Sequence, residues 1–104
     1  MKILENVVRQ SIEARKLRSS LQASLLSSKL GFSAVEVLYA ISIKEEITPS
    51  DIASYLFCER ATVSRTLREL GEKSLINQRY DTEDRRKAFV KLSPKGIKQL
   101  AAFS

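Results

Sequence analysis

Between residues 2 and 28 the apolar positions Leu4, Val8, Ile12, Leu17, Leu21 and Leu25 recur at close to helical spacing, with Val7 and Ala14 beside them. This pattern predicts one long amphipathic helix. Five serines between Ser19 and Ser28 weaken its C-terminal part, because a short hydroxyl side chain competes for backbone hydrogen bonds. Gly31 stands where a left-handed C-cap residue would end the helix. Ser33-Ala34-Val35-Glu36 has the form of a capping box and predicts a second helix running to about Lys44. Its apolar positions Val35, Val37, Leu38, Ile41 and Ile43 leave little polar face, as in a central, packed helix.

Thr48-Pro49-Ser50-Asp51 is a further start signal, with Thr48 as N-cap and Pro49 at the first helical position, where its missing N–H costs nothing. The helix it begins carries Ile52, Ala53 and Leu56. Phe57-Cys58-Glu59-Arg60 then separates it from a second periodic run, Val63, Leu67 and Leu70, ending near residues 71–74. Two short helices with a tight connection follow from this. Residues 76–80 and 88–92 alternate and are β-prone, whereas residues 81–87 are wholly polar, so a β-hairpin with a charged tip is predicted. Ser93-Pro94 resets the chain into a last short helix from Lys95 to about Phe103.

The 104 residues, 43% of them hydrophobic, suffice for one domain with one modest core. The expected division is an N-terminal helix over residues 1–29, a core over 33–92 with its hairpin at 76–92, and a C-terminal helix over 94–104. No run approaches the ~20 apolar residues of a membrane span. The first turns interleave Lys2, Glu5, Arg9 and Glu13 instead of a signal-peptide block, so a cytoplasmic chain without membrane attachment is expected. With one cysteine, Cys58, and no histidine, neither a disulfide framework nor a zinc cluster is available, and no cofactor is expected.

The net charge of +6 is unevenly spread: residues 1–59 hold seven Lys/Arg against seven Asp/Glu, and residues 60–104 hold eleven against five. A basic half suits phosphate binding through counterion release, and equally suits RNA, an anionic membrane or an acidic partner. The order of elements narrows the choice. Helix, tight turn, helix and hairpin is the order of a winged helix-turn-helix, so the fold class is mainly α with a small β-hairpin (α+β), preceded by a long helix. A helix over residues 61–73 that buries Val63, Leu67 and Leu70 presents Thr62, Ser64, Arg65, Thr66, Arg68 and Glu69 outward, with Arg60 at its start. Arg65 has the donors for bidentate contact with guanine, worth ~1–3 kcal/mol of discrimination. At the hairpin tip, Arg85, Arg86 and Lys87 follow Asp84, which is placed to orient an arginine, and arginine at such a tip suits a narrow, A·T-rich minor groove.

Residues 47–96 resemble the core of the MarR family of bacterial regulators. The matching stretches are ITPSDIASYL, ATVSRTLREL and DTEDRRKAFVKLSPKG; the last, with Asp81, Asp84, Arg85, Arg86, Leu92, Ser93 and Gly96, carries most of the likeness. Leu30-Gly31-Phe32-Ser33 and Val37-Leu38 extend it upstream. The resemblance implies a symmetric dimer on a pseudo-palindromic operator in double-stranded DNA, usually repressing, with Thr62, Ser64 and Arg65 in the major groove and Arg85 or Arg86 in the minor groove.

Three departures from the family pattern carry expectations of their own. Glu59 replaces the usual serine or aspartate cap of the second short helix, which leaves that start less fixed. Gly71 and Ser74 stand where a charged residue and a glycine are usual, so the helix is expected to end a turn early. About eight residues follow Gly96, where the family continues through two long dimerisation helices. The remaining surface for a homodimer, or for a heterodimer with a related regulator, is Leu4, Val8 and Ile12 with Ile97, Leu100 and Phe103; the competing reading packs the first helix on its own core. Much of the family's small-molecule pocket would be missing, and no effector is assigned. Cys58 is expected as a buried packing residue, since no second cysteine can resolve a sulfenic acid.

An enzyme is disfavoured, with no histidine, no phosphate-cradling glycine loop and no paired carboxylates in an apolar setting. The rivals to a regulator are a winged-helix module that docks protein, as an antagonist would, and a replication or partition protein of a mobile element.

Overall fold

The computed structural model describes residues 1–103. Its elements are α1 (Lys2–Ser19), α2 (Gln22–Ser28), α3 (Phe32–Ser42), α4 (Pro49–Leu56), α5 (Arg60–Glu72), β1 (Ile76–Tyr80), β2 (Ala88–Leu92) and α6 (Pro94–Ala101). The class is the expected one, mainly helical with a two-stranded antiparallel hairpin. Both strands begin and end where the alternation placed them.

The N-terminal region departs from the single predicted helix. Ser19 Oγ donates to the Lys16 carbonyl and Ser20 Oγ to the Leu17 carbonyl, both at 2.6 Å. Such local bonds offer the backbone an alternative to the helical ladder, and the helix breaks at Ser20-Leu21 before restarting as α2. Lys29, at φ 60°, and not Gly31, is the left-handed C-cap of α2. Gly31 is instead the extended N-cap of α3, which makes no side-chain cap bond. Ser33, expected as the N-cap of a capping box, is therefore the second residue of the helix, and α3 stops at Ser42, leaving Ile43 exposed. Of the predicted 94–104 helix, Pro94–Ala101 is helical and Ser104 lies outside the described residues.

The core forms around α3, which packs on α4, α5, α6 and β2. Leu38, Ile41, Ile52, Val63, Leu70 and Val90 are fully buried there, each such side chain contributing about 1.5–3 kcal/mol of transfer free energy. Ile47, ahead of α4, forms an isolated bridge with Val90, its N–H donating at 3.1 Å and its carbonyl accepting at 2.8 Å. Periodicity does not reveal that one-residue strand. A tight corner closes the lobe: Ser93 Oγ donates to the Ser74 carbonyl at 2.7 Å and accepts from the Gly96 N–H at 3.0 Å. A Cβ on Gly96 would meet the Leu75 carbonyl oxygen at 2.0 Å, so only glycine lets α6 cross here.

In contrast, α1 buries none of its residues. At about 27 Å long it projects from the lobe, and the radius of gyration, 15.2 Å, exceeds the ~13 Å of a compact chain of about this length. The reading in which this helix packs on its own core is thereby corrected. A cation–π contact, Arg18 at 4.3 Å from the centre of the Phe32 ring, ties its C-terminal end to α3. No single helix among the described residues is long and apolar enough to cross a membrane.

Candidate nucleic-acid interface

The helix pair that presents the site is set by its caps. Thr48 Oγ1 accepts from the Asp51 N–H at 3.1 Å, with Pro49 at the first helical position, as the sequence predicts. At the other end of α4, Phe57 takes a left-handed conformation (φ 54°), and the Cys58 N–H reaches back to the Ala53 carbonyl at 3.0 Å. Backbone bonding thus closes the turn. Cys58 is exposed, which corrects the expectation of a buried packing residue. Phe57 is 98% exposed beside it.

Glu59 is the N-cap of α5 and makes no side-chain cap bond, in keeping with glutamate's poor capping geometry. At its C-terminal end the helix does not stop early. It runs to Glu72, and Ser74 adopts the left-handed conformation (φ 61°) that a glycine would take there, while the Leu75 N–H donates to the Leu70 carbonyl at 3.0 Å. The buried stripe of α5 is Val63, Thr66, Leu67 and Leu70. Thr66 was expected on the outer face; it is buried instead, and its Oγ1 donates to the Thr62 carbonyl at 3.0 Å. Arg60, Ser64, Arg65 and Arg68 are exposed and Thr62 is half-buried, and the Arg60 guanidinium donates to Ser64 Oγ. Three arginines and two hydroxyls therefore line the solvent side of one helix.

The hairpin tip is organised by its acids. The Asp81 N–H donates to the Lys87 carbonyl and the Lys87 N–H to the Asp84 carbonyl, both at 2.9 Å, closing the loop. Asp84 Oδ1 accepts from the Arg86 N–H at 3.0 Å and from Arg86 Nε at 3.1 Å. Those two bonds to Arg86, side chain first, hold the Asp84 carboxyl below its ordinary range. Asp84 thus holds Arg86, whose side chain is 92% exposed. Arg85 and Lys87 are exposed as well.

A second ion pair at the hairpin stalk went unread in the sequence. Arg79 on β1 donates through Nε and Nη2 to both carboxylate oxygens of Glu46, at 2.6 and 2.8 Å, and lies 4.6 Å from the centre of the Phe89 ring. The bond to Arg79 holds the Glu46 carboxyl below, and the bond to Glu46 holds Arg79 above, their usual ranges. Glu46 and Arg79 are 33 positions apart, so no local spacing rule joins them.

The residues named for dimerisation divide. Leu4, Val8 and Ile12 are exposed along α1, and Ile97 is exposed on α6. Leu100 and Phe103 pack partly on the core, and with Phe32, Tyr39 and Tyr55 they line a groove of about 580 Å³.

A three-helix lobe carrying an arginine-faced helix and a hairpin with a basic tip is a winged helix-turn-helix domain. Residues 33–88 match the family model described as MarR family, and the chain belongs to that family. An uncharacterized HTH-type transcriptional regulator of Bacillus subtilis (strain 168), YwaE, is 30% identical over 84 residues, covering 80% of this chain and 49% of the relative. The chain thus spans about half the length of that curated relative. Among solved structures, S. aureus MepR in complex with DNA aligns with 26% identity and a TM-score of 0.76, over 92% of this chain and 79% of that one. Apo wild-type MarR from E. coli, at 21% identity and a TM-score of 0.81 over 94% of this chain and 72% of that one, shares the fold.

Proposed function

We propose that the chain is a sequence-specific regulator of transcription that binds duplex DNA and acts as a repressor. In this reading α5 enters the major groove and the hairpin tip the adjacent minor groove. One observation carries it: Arg60, Thr62, Ser64, Arg65 and Arg68 share the solvent side of α5 while Arg85, Arg86 and Lys87 cap a protruding hairpin. A helix with base-reading donors and a cationic loop beside it are the two parts that groove docking needs. The likeness to MepR, whose structure was determined with DNA, supports the same use of the fold.

Arg65 reads a base edge, Arg60 and Arg68 hold phosphates, and Asp84 presents Arg86 to the minor groove. Thr62 and Ser64 offer hydroxyls to base edges or phosphates. The active species is a homodimer formed through Leu4, Val8 and Ile12 of α1 with Ile97, since two recognition helices are required to span two half-sites. The site of action is the cytoplasm.

Selection of bound duplexes from a random pool at roughly physiological salt tests the proposal. An inverted repeat with half-sites about 10–11 base pairs apart is expected. Binding that enriches no motif and vanishes as salt rises would refute site-specific recognition and favour a protein-docking module.

A further inference from the structure

The hairpin is anchored on the lobe from its base to its middle pair, Gln78–Val90. Ile76 and Val90 are buried, Val90 pairs with Ile47, and the other four residues of β1 are exposed. Beyond that anchor the outermost ion pair between the hairpin and the helical lobe is the one that Arg79 makes with Glu46, the residue just before Ile47. Arg79 and Phe89 are cross-strand partners, so one guanidinium joins three segments: the strand that leads out to the tip, the strand that returns, and the connection between α3 and α4. Its bidentate geometry fixes direction as well as distance.

We infer that Glu46, Arg79 and Phe89 form a positioning clamp that sets the angle of the wing, and through it the preference for sequence flanking the bases that α5 touches. The inference rests on the DNA-binding reading above. The tip loop extends roughly 10 Å beyond the clamp at about 3.3 Å per residue. A tilt of about 10° at the clamp displaces the tip by about 2 Å, enough to break a hydrogen bond. Narrow A·T-rich minor grooves reward an arginine placed at one depth, so loss of the angle costs preference before it costs overall affinity. Arg79 itself is a poor phosphate ligand here, with Nε and Nη2 already committed to Glu46 and its ring-facing side on Phe89.

The alternative, that Arg79 contacts DNA directly, differs in sign. Glu46→Gln would then free a cation and tighten binding, whereas a clamp predicts weaker discrimination. The test measures affinity of wild type, Glu46→Gln, Arg79→Met and the double variant for one operator with A·T-rich or G·C-rich flanks, with thermal melting alongside. Each single variant is expected to lose roughly three- to tenfold of the A·T preference, the double variant no more than either, with the half-site base preferences unchanged. Relaxation of the backbone amides of residues 81–87 in the free protein supplies a readout independent of DNA, and Glu46→Gln is expected to increase their motion. Unchanged amide order, or an undiminished A·T preference in Glu46→Gln, would overturn the clamp. Failure of the wild type to bind any duplex would remove the DNA-binding reading, and the amide measurement would still decide whether Glu46 orders the wing.

Discussion

Arg65 and Arg86 are both exposed arginines, yet their surroundings assign them different work. Arg65 stands on a helix whose opposite face is buried through Val63, Leu67 and Leu70, so its position relative to a groove is fixed by the core. Arg65→Ala is expected to relax preference at one base position and to cost about 1–3 kcal/mol at the preferred base. Arg85→Ala and Arg86→Ala should leave the half-site base preferences unchanged, lower the salt slope by about 1 each and reduce the preference for A·T-rich flanks. Equal effects of all three across a randomised operator library would defeat that division. Protonation offers a separate check. The carboxyls of Asp84 and Glu46 are depressed in the folded chain, so the ordering they supply is present above their unfolded values near 4 and is lost as pH falls through the lower folded values. The Arg86 amide signal is expected to hold steady from pH 7 to about 5 and to move only below about 4; a midpoint near 6 would contradict the assignment.

At the scale of elements, caps and corners decide how firmly the interface is held. Ser74 occupies a left-handed position after α5, where a residue with a Cβ is disfavoured by roughly 1 kcal/mol relative to glycine. Ser74→Gly is therefore expected to stabilise by at most about 0.5 kcal/mol once glycine's greater unfolded-state freedom is subtracted, read as a slightly higher denaturant midpoint. At Gly96 the opposite holds. Gly96→Ala puts a methyl against the Leu75 carbonyl and should cost about 1–3 kcal/mol as α6 is pushed off the corner, seen as a lower melting temperature. A melting temperature equal to wild type would mean that the α6 corner gives way freely.

For the whole molecule the salient fact is a helix without a core. The exposed apolar residues Leu4, Val7, Val8 and Ile12 follow one another along α1, a pattern that a single copy leaves open to water. If that face joins two copies, Val8→Glu should shift the species seen by light scattering toward monomer at micromolar protein and weaken operator binding, while leaving the melting of the lobe unchanged. A wild type that is already monomeric at those concentrations would rule out α1 as the dimer contact.

Local chemistry was sufficient for the parts of this protein that local rules govern. Alternation marked β1 and β2 to the residue, Thr48-Pro49 announced α4, and the apolar stripe of α5 left its arginines outward, because each depends on neighbours within a few positions. The same logic misplaced the boundaries near α1 and α3, where Lys29 outranked Gly31 as a left-handed cap and serine back-bonds broke the helix. Tertiary structure alone decided the rest. Thr66 turned inward because the stripe of α5 buried against the core is wider than its apolar residues suggest. Cys58 lies at the surface, in a turn closed by its own N–H bonding back to the Ala53 carbonyl. The Ile47–Val90 bridge and the Glu46–Arg79 pair join residues dozens of positions apart, and contacts of that range exist only after the lobe has closed on its core.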